Sequence, residues 1–415
     1  MNKKLGLAVA GAVLALSTTA NAGIVIPAGD WTLDISGNVN AYYQNTRASG
    51  GNHGTTGANV AGSIATGNDA ANDRVRNGIN TGLLPAWIGF TGKTRQNDLD
   101  VSFTISFQPA VSANDVSGDG AFVNTANAGD QILNRQTFLQ FGDASWGSIK
   151  LGKDLGIFGS DAILSDMTLL GVGSGSGLSG STANTTNGGI GTGYIYAAWK
   201  GQITYVTPNW NGFQGTIGLT NPNQGVNLAG LSNNQDRLGV EGKLSYTWAG
   251  DFSGKAWAGF ASYDVTTDGA TPQNYSIQAY EIGANGNVGN VGVTAYYYKG
   301  NGLGTTLFGV NGADAAGKKR DSNGGYIQAT YVIPTGTKLG ASYGVSKLDD
   351  TNLDQTTTAA LIESNRRWTI GAYHPLTKSL NLVAEYNDVR SEAQNYVNVE
   401  AAKSKNISLG AILFF

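Results

Sequence analysis

Two short motifs and two imidazoles are where reactive chemistry would first be sought in this sequence. The segment "GSGLSG" from Gly175 has the glycine spacing with which a backbone approaches a pyrophosphate. A dinucleotide site also needs a preceding strand, a following helix and an acid about 20 residues on. The next residues are "STANTTNGG", which form no helix, so the stretch reads as loop. In "DVSGDG", Asp115, Ser117 and Asp119 take the first, third and fifth positions of a calcium loop and Gly120 the sixth, but Ala126 stands where a bidentate Glu is required. That excludes an EF-hand and leaves a weak surface cation site as the alternative at this loop. His53 lies in a polar loop and His374 beside Pro375 in a turn, neither with a partner at ligand spacing. Ser and Asp are plentiful but have no base to pair with. The residues therefore point to no enzyme, no metal and no cofactor.

The framework that would carry any site is bounded by composition. "MNKK" is a basic n-region, "LGLAVAGAVLAL" an apolar h-region and "ANA" a cleavage site ending at Ala22, which together predict a secretory signal peptide over residues 1–22. Its apolar run, about 12 residues, is short of the roughly 20 a spanning helix needs. One domain, residues 23–415, remains, and it contains no other long apolar run. With 61 Gly and 13% charged residues the chain is rich in glycine and poor in charge, since ordinary domains have about 7% and about 25%. Its 18 Tyr, 13 Phe and 8 Trp argue against a disordered coil. The absence of cysteine excludes a disulfide framework, thiol catalysis and Cys-based zinc sites. Formal charge is −3, or −5 once Lys3 and Lys4 leave with the signal, which disfavours a nucleic-acid partner.

Strand-like segments recur along the whole mature chain, and their separators alternate between short and long. Short ones, such as "RQND" near 95, "PNWNG" from Pro208 and "PTGTK" from Pro334, carry the Gly, Asn, Asp and Pro of tight turns. Long ones span about 46 to 82, 111 to 130, 153 to 193, 221 to 236, 266 to 274, 300 to 323, 347 to 364 and 389 to 404. Seven short and eight long separators join about sixteen strands. A membrane β-barrel has this asymmetry, with short turns at one end and long loops at the other. A sandwich or solenoid gives no reason for it.

Charge assigns the faces, because Lys or Arg on a lipid-facing position near mid-bilayer costs about 2 to 4 kcal/mol. In "DRLGVEGKLSYTWAG", Leu238, Val240, Leu244, Tyr246 and Trp248 share the outward parity, while Glu241 and Lys243 fall on the other. "LDVSFTISF" puts Phe103, Ile105 and Phe107 out and Ser102, Thr104 and Ser106 in. Glu281 falls on a face that the pattern does not decide. Trp146, Trp210, Trp248, Phe252, Tyr373 and Phe415 cluster beside short turns, where aromatic girdles meet lipid headgroups. The chain closes on "ISLGAILFF", an alternating strand that stays apolar to its last residue, which only lipid or protein contact would protect.

Three features resemble one known family, the trimeric general-diffusion porins of Gram-negative outer membranes. They are the opening "GDWTLDISGNVNAYY", the terminal Phe415, and "GSIKLGKDLGIFGSDAILSDMTLLGVG" after the fifth strand. The resemblance covers the mature chain. It implies an all-β transmembrane antiparallel barrel of about 16 strands with an inward-folded third external loop. The implied function is a water-filled channel for passive diffusion of small hydrophilic solutes and ions. Its implied setting is outer-membrane lipid, a homotrimer, and barrel-insertion machinery that reads Phe415. The alternatives are a substrate-selective channel and a plugged structural or adhesive barrel.

By the same resemblance, the loop from Lys153 to about Gly193 narrows the pore, with Asp154, Phe158, Asp161 and Asp166 as constriction residues. The family's Pro-Glu-Phe-Gly form is replaced by Gly156-Ile157-Phe158-Gly159, so its acid has no direct counterpart. Ile163, Leu164, Met167, Leu169 and Leu170 would pin the loop to the wall. Basic wall partners are sought by parity. Lys93, Arg95 and Lys150 fall inward, whereas Arg135 shares parity with Leu139 and Phe141 and suits the wall only through a bulge or a place at the rim. The mature charge of −5 leans toward cations, although only charges at the constriction set ion preference.

Overall fold

A computed structural model describes residues 23–53, 59–65, 67, 74–109, 132–177, 185–221, 232–234, 237–268 and 273–415. The signal peptide, the "DVSGDG" loop and the end of "GSGLSG" lie outside the described residues.

The alternating segments become β1 (Trp31–Gly50), β2 (Trp87–Gln96), β3 (Leu99–Gln108), β4 (Leu133–Asp143), β5 (Gly147–Leu155), β6 (Trp199–Val206), β7 (Phe213–Thr220) and β8 (Gly239–Trp248). The second half comprises β9 (Phe252–Asp268), β10 (Gln273–Val288), β11 (Val291–Asn301), β12 (Asp321–Val332), β13 (Lys338–Leu348), β14 (Ile362–Pro375), β15 (Leu380–Ala393) and β16 (Ala402–Phe414). Among the described residues the main sheet has 19 strands. Three short ones continue the lanes of longer strands: Ile24–Ala28 that of β16, Arg74–Asn80 that of β2, and Ser232–Asn234 that of β8. Sixteen lanes remain, all pairing antiparallel, and they form a closed cylinder.

Closure is made by β1 against β16, from Asn38 opposite Phe414 to Gly50 opposite Ala402. Two further bonds finish it, with the Gly37 N–H donating to the Phe415 carbonyl at 2.9 Å and the Phe415 N–H returning to Gly37 at 3.1 Å. A closed sheet leaves no unpaired edge in hydrocarbon, where each unsatisfied backbone group would cost several kcal/mol. The β2–β3 connection shows how tight the short turns are: only Asn97 and Asp98 separate the strands, both at positive φ, the conformation that two-residue hairpins require.

Outward positions carry the apolar parity, Leu244 being 72% exposed and Val39 58%. Inward positions carry Asn38, Asn40, Gln44, Glu241, Glu281, Glu385 and Asn406, all buried inside the cylinder. Glu281, undecided by pattern, therefore belongs to the inner face. Strands also extend further than expected at two loops. β9 runs to Asp268 and β10 starts at Gln273, so the separator placed at about 266 to 274 shrinks to 269–272. β1 continues to Gly50, and Arg74–Asn80 pairs with it across the first loop. Tyr373 is a correction to the aromatic girdle. It faces inward, is buried, and donates its hydroxyl to Glu385 Oε1 at 2.7 Å.

Candidate functional site

The third long connection leaves β5 at Leu155 and returns at Trp199, and its described residues, 156–177 and 185–198, lie largely buried inside the cylinder. It forms a short helix α1 (Ser160–Ser165), a 3-10 turn (Met167–Leu170) and a small hairpin of Ser174–Gly177 with Thr186–Gly188. An irregular segment inside a barrel must find partners for its backbone groups, and here inward carboxylates on the wall supply them. Glu241 Oε2 accepts from the N–H groups of Ile157 at 2.5 Å and Phe158 at 3.0 Å. Glu281 Oε2 accepts from Gly159 at 2.9 Å and from the Tyr296 hydroxyl at 2.9 Å. Glu385 Oε2 accepts from Val172 at 2.9 Å and Gly173 at 2.8 Å. Gln328 adds an acceptor for Met167 N–H and a donor to the Ser165 carbonyl.

Gly159 makes this path feasible. Its φ is +77°, and a Cβ there would come within 2.8 Å of the Ile195 carbonyl. Apolar contacts complete the anchoring. Phe158, Ile163, Leu169, Tyr194 and Ile195 from the loop share one core cluster with Trp257, Tyr263, Tyr296 and Tyr326 from the wall. Met167, with Leu170 beside it, packs in a second cluster with Tyr42 and Tyr373.

Charge concentrates where α1 meets β8 and β9. Asp161, in the first turn of α1, pairs through Oδ2 with Lys243 at 2.6 Å and through Oδ1 with Lys255 at 2.5 Å. Lys243 also donates to Ser160 Oγ at 3.0 Å. Asp166 accepts from the Thr168 N–H at 2.9 Å and the Tyr194 hydroxyl at 2.9 Å, with Arg367 at 3.5 Å. Deeper in the wall Lys200 pairs with Glu241, which also takes the Tyr263 hydroxyl.

The family model described as Gram-negative porin matches residues 6–394. The chain belongs to the Gram-negative porins. It is an outer-membrane protein that forms a channel for passive diffusion. A search of curated proteins found no match. The fold is similar to that of the outer membrane channel DcaP of Acinetobacter baumannii, at 15% identity and TM-score 0.66, covering 94% of this chain and 99% of that one. An anion-selective porin from Comamonas acidovorans gives 14% identity and TM-score 0.59, covering 93% and 100%. The trimer form of in-vitro folded OmpT of Vibrio cholerae gives 13% and 0.52, covering 93% and 99%. Porins of this family are typically non-enzymatic.

Within this porin the residues expected at the constriction separate into distinct places. Of the four candidates, Asp161 joins the infolded segment to lysines of the wall, Lys243 and Lys255. Asp154 belongs to β5 rather than to the loop, and it pairs with Lys150 and accepts from Gln136 at 2.9 Å. Phe158 is fully buried, edge-on to Phe308 with centroids 5.6 Å apart, because the loop turns it into the apolar cluster. Asp166 is buried as a cap and a tyrosine acceptor.

The basic candidates are also spread out. Arg95 sits beside the short turns, paired with Asp100 at 2.8 Å and Asp143 at 2.9 Å, and Lys93 lies two residues earlier on β2, on the same face and opposite Ser102. Arg135 is the extra residue of a bulge, since Ser106 pairs with Gln136 and Phe107 with Asn134. The bulge turns its guanidinium inward, 4.9 Å over Trp87 and 4.3 Å over Trp199. Among the described residues, the wall cations paired with acids of the infolded segment are Lys243, Lys255 and Arg367. Parity had put Lys243 on the inner face, but nothing local signalled that the loop would reach it.

The flagged histidines have ordinary roles. His53 Nδ1 lies 3.1 Å from Ser63 Oγ and Nε2 2.9 Å from the Glu400 carbonyl, and His374 Nδ1 lies 3.0 Å from Thr337 Oγ1.

Proposed function

We propose that the infolded loop is the constriction of a water-filled pore, with Asp161, Lys243 and Lys255 as its charged patch. The observation that carries this reading is the two-lysine bridge from the wall to the helix of the loop. Opposed charges across a narrow polar section create a transverse field that favours hydrophilic solutes over apolar ones. The assembly is a homotrimer, a reading supported by the trimer form of the similar OmpT. Residues 1–22 act as the export signal, and Phe415 is the residue recognised by the barrel-insertion machinery. No catalytic step is part of the function.

Purified protein in planar bilayers tests the channel: ohmic conductance and swelling of liposomes in small sugars are expected. Absence of both would overturn the reading in favour of a plugged structural barrel. Saturable block by one sugar or carboxylate would favour the substrate-selective alternative. Cross-linking in detergent with a band at three chain masses tests the trimer.

A further inference from the structure

The sign of the fixed charges that a passing ion can touch differs from the sign of the chain as a whole. We propose that this pore prefers anions, with Lys243 and Lys255 forming a transit site for small carboxylates and Asp161 lying across it as a built-in occupant. The proposal rests on the reading of the infolded loop as the constriction.

Accessibility is the first ground. Lys255 and Lys243 side chains are 26% and 14% exposed, while Asp161 is 8% exposed. Around the infolded loop the other carboxylates are turned into protein, whereas Asp100, paired with Arg95 beside the short turns, is 33% exposed. Glu241 is fully buried against Lys200 and two loop N–H groups, Glu385 accepts from Val172, Gly173 and Tyr373, and Asp166 is fully buried beside Arg367. Glu281, also buried, presents Oε2 to Gly159 and Tyr296. A further partly open pair, Lys150 with Asp154, is neutral as a unit. Ions crossing a water-filled section sense its fixed charges through the field, and Glu281 Oε1, an acceptor without a hydrogen-bond partner, lies in a buried side chain.

Geometry is the second ground. The two ammonium groups are spaced to take the two oxygens of a single carboxylate, since Lys255 meets Oδ1 and Lys243 meets Oδ2 of Asp161. Each ammonium has three donors and no acceptor. Lys243 spends one on Asp161 and one on Ser160, and Lys255 spends one on Asp161. The remaining capacity suits a second anion in passage, and removal of Asp161 would free the whole pair.

Reversal potentials in a potassium chloride gradient test this with four proteins: wild type, Lys255→Gln, K243Q/K255Q and Asp161→Asn. Expected are a wild-type potential of the anion-preferring sign, a shift toward cations in Lys255→Gln, and a reversed sign in the double variant. Asp161→Asn should shift further toward anions, and acetate should then reduce its chloride current more than that of wild type. Heat-modifiable gel mobility of each variant shows that the barrels are folded, and a measurable single-channel conductance shows that the pores are open. A cation-preferring wild type overturns the proposal while leaving the channel intact. So does an unmoved potential in Lys255→Gln and the double variant. A wild type that passes neither current nor sugar defeats the constriction reading itself.

Discussion

At the scale of single residues, charged side chains in this porin differ in what acid would do to them. On the external loops Arg320 holds Asp354 with two bonds, 2.8 Å from Nε and 2.6 Å from Nη2, and Asp354 also closes a capping box with Thr351 at the start of α2 (Asn352–Thr357). Burial alone would push the Asp354 carboxyl up, but the Arg320 bonds and the Thr351 N–H outweigh it and hold the group below its ordinary value. A depressed carboxyl contributes stability that is complete above its unfolded value, about 3.9, and is lost as pH falls through the lower folded value. The clamp between the loop at 302–320 and α2 should therefore persist from neutral pH to about pH 4 and open only in stronger acid. Asp354→Asn should open it at neutral pH, because a nearly buried Arg320 would lose its counter-charge at a cost of about 3 to 5 kcal/mol. Amide hydrogen exchange in residues 312–320 and 351–358, followed against pH in both proteins, measures this. Equal protection in the two proteins at pH 7 would remove Asp354 from that role.

At the scale of elements, the infolded loop depends on wall carboxylates that accept from its backbone, and such bonds are costly to leave unmade. In Glu385→Ala the N–H groups of Val172 and Gly173 and the Tyr373 hydroxyl lose their acceptor. Each stranded group costs about 1 to 3 kcal/mol, enough for the middle of the loop to leave its seat. Open-channel current noise should rise in this variant, whereas Glu385→Gln, which keeps one acceptor oxygen, should be intermediate. Unaltered noise in Glu385→Ala would show that the apolar cluster around Met167 and Leu170 holds the loop without help.

These anchors also show what could be read from the chain in advance. Parity put Glu241 and Lys243 on the inner face because lipid penalises charge on the outer one. Which inner-face acids and lysines meet the loop depends on a backbone path set by Gly159 at positive φ and by contacts 84 to 213 residues apart in sequence. Arg135 is the converse case, where the pattern required an irregularity and the bulge supplied it. Tyr373 misled because a position beside a turn does not reveal the face of its strand on which a ring lies.

At the scale of the whole molecule, stability belongs to a closed cylinder, and its seam lies between the first and last strands. Alternation to the final residue was legible because sheet and lipid impose the same period on both ends of the chain. The seam partner was not, since Gly37 and Phe415 are joined only when the full circuit of strands returns to its start. Gly37 carries no side chain where one would come within 2.2 Å of the Trp87 carbonyl and 2.9 Å of the Phe415 ring. The ring thus fills the space beside a glycine, and the backbone exchanges two hydrogen bonds there. Deleting Phe415 removes both bonds and the ring, and it leaves the Gly37 N–H and carbonyl near the membrane edge without these partners, at roughly 1 to 3 kcal/mol each. Replacing Phe415 by Ala keeps the two bonds and removes only the ring. Refolding into detergent micelles, followed by the difference in gel mobility between heated and unheated samples, should therefore show a large loss of folded barrel for the deletion and a smaller one for Phe415→Ala. Because micelles contain no insertion machinery, this measures the seam alone. If both variants refold like wild type in micelles yet fail to reach the membrane in cells, Phe415 acts as a recognition signal and not as part of the seam.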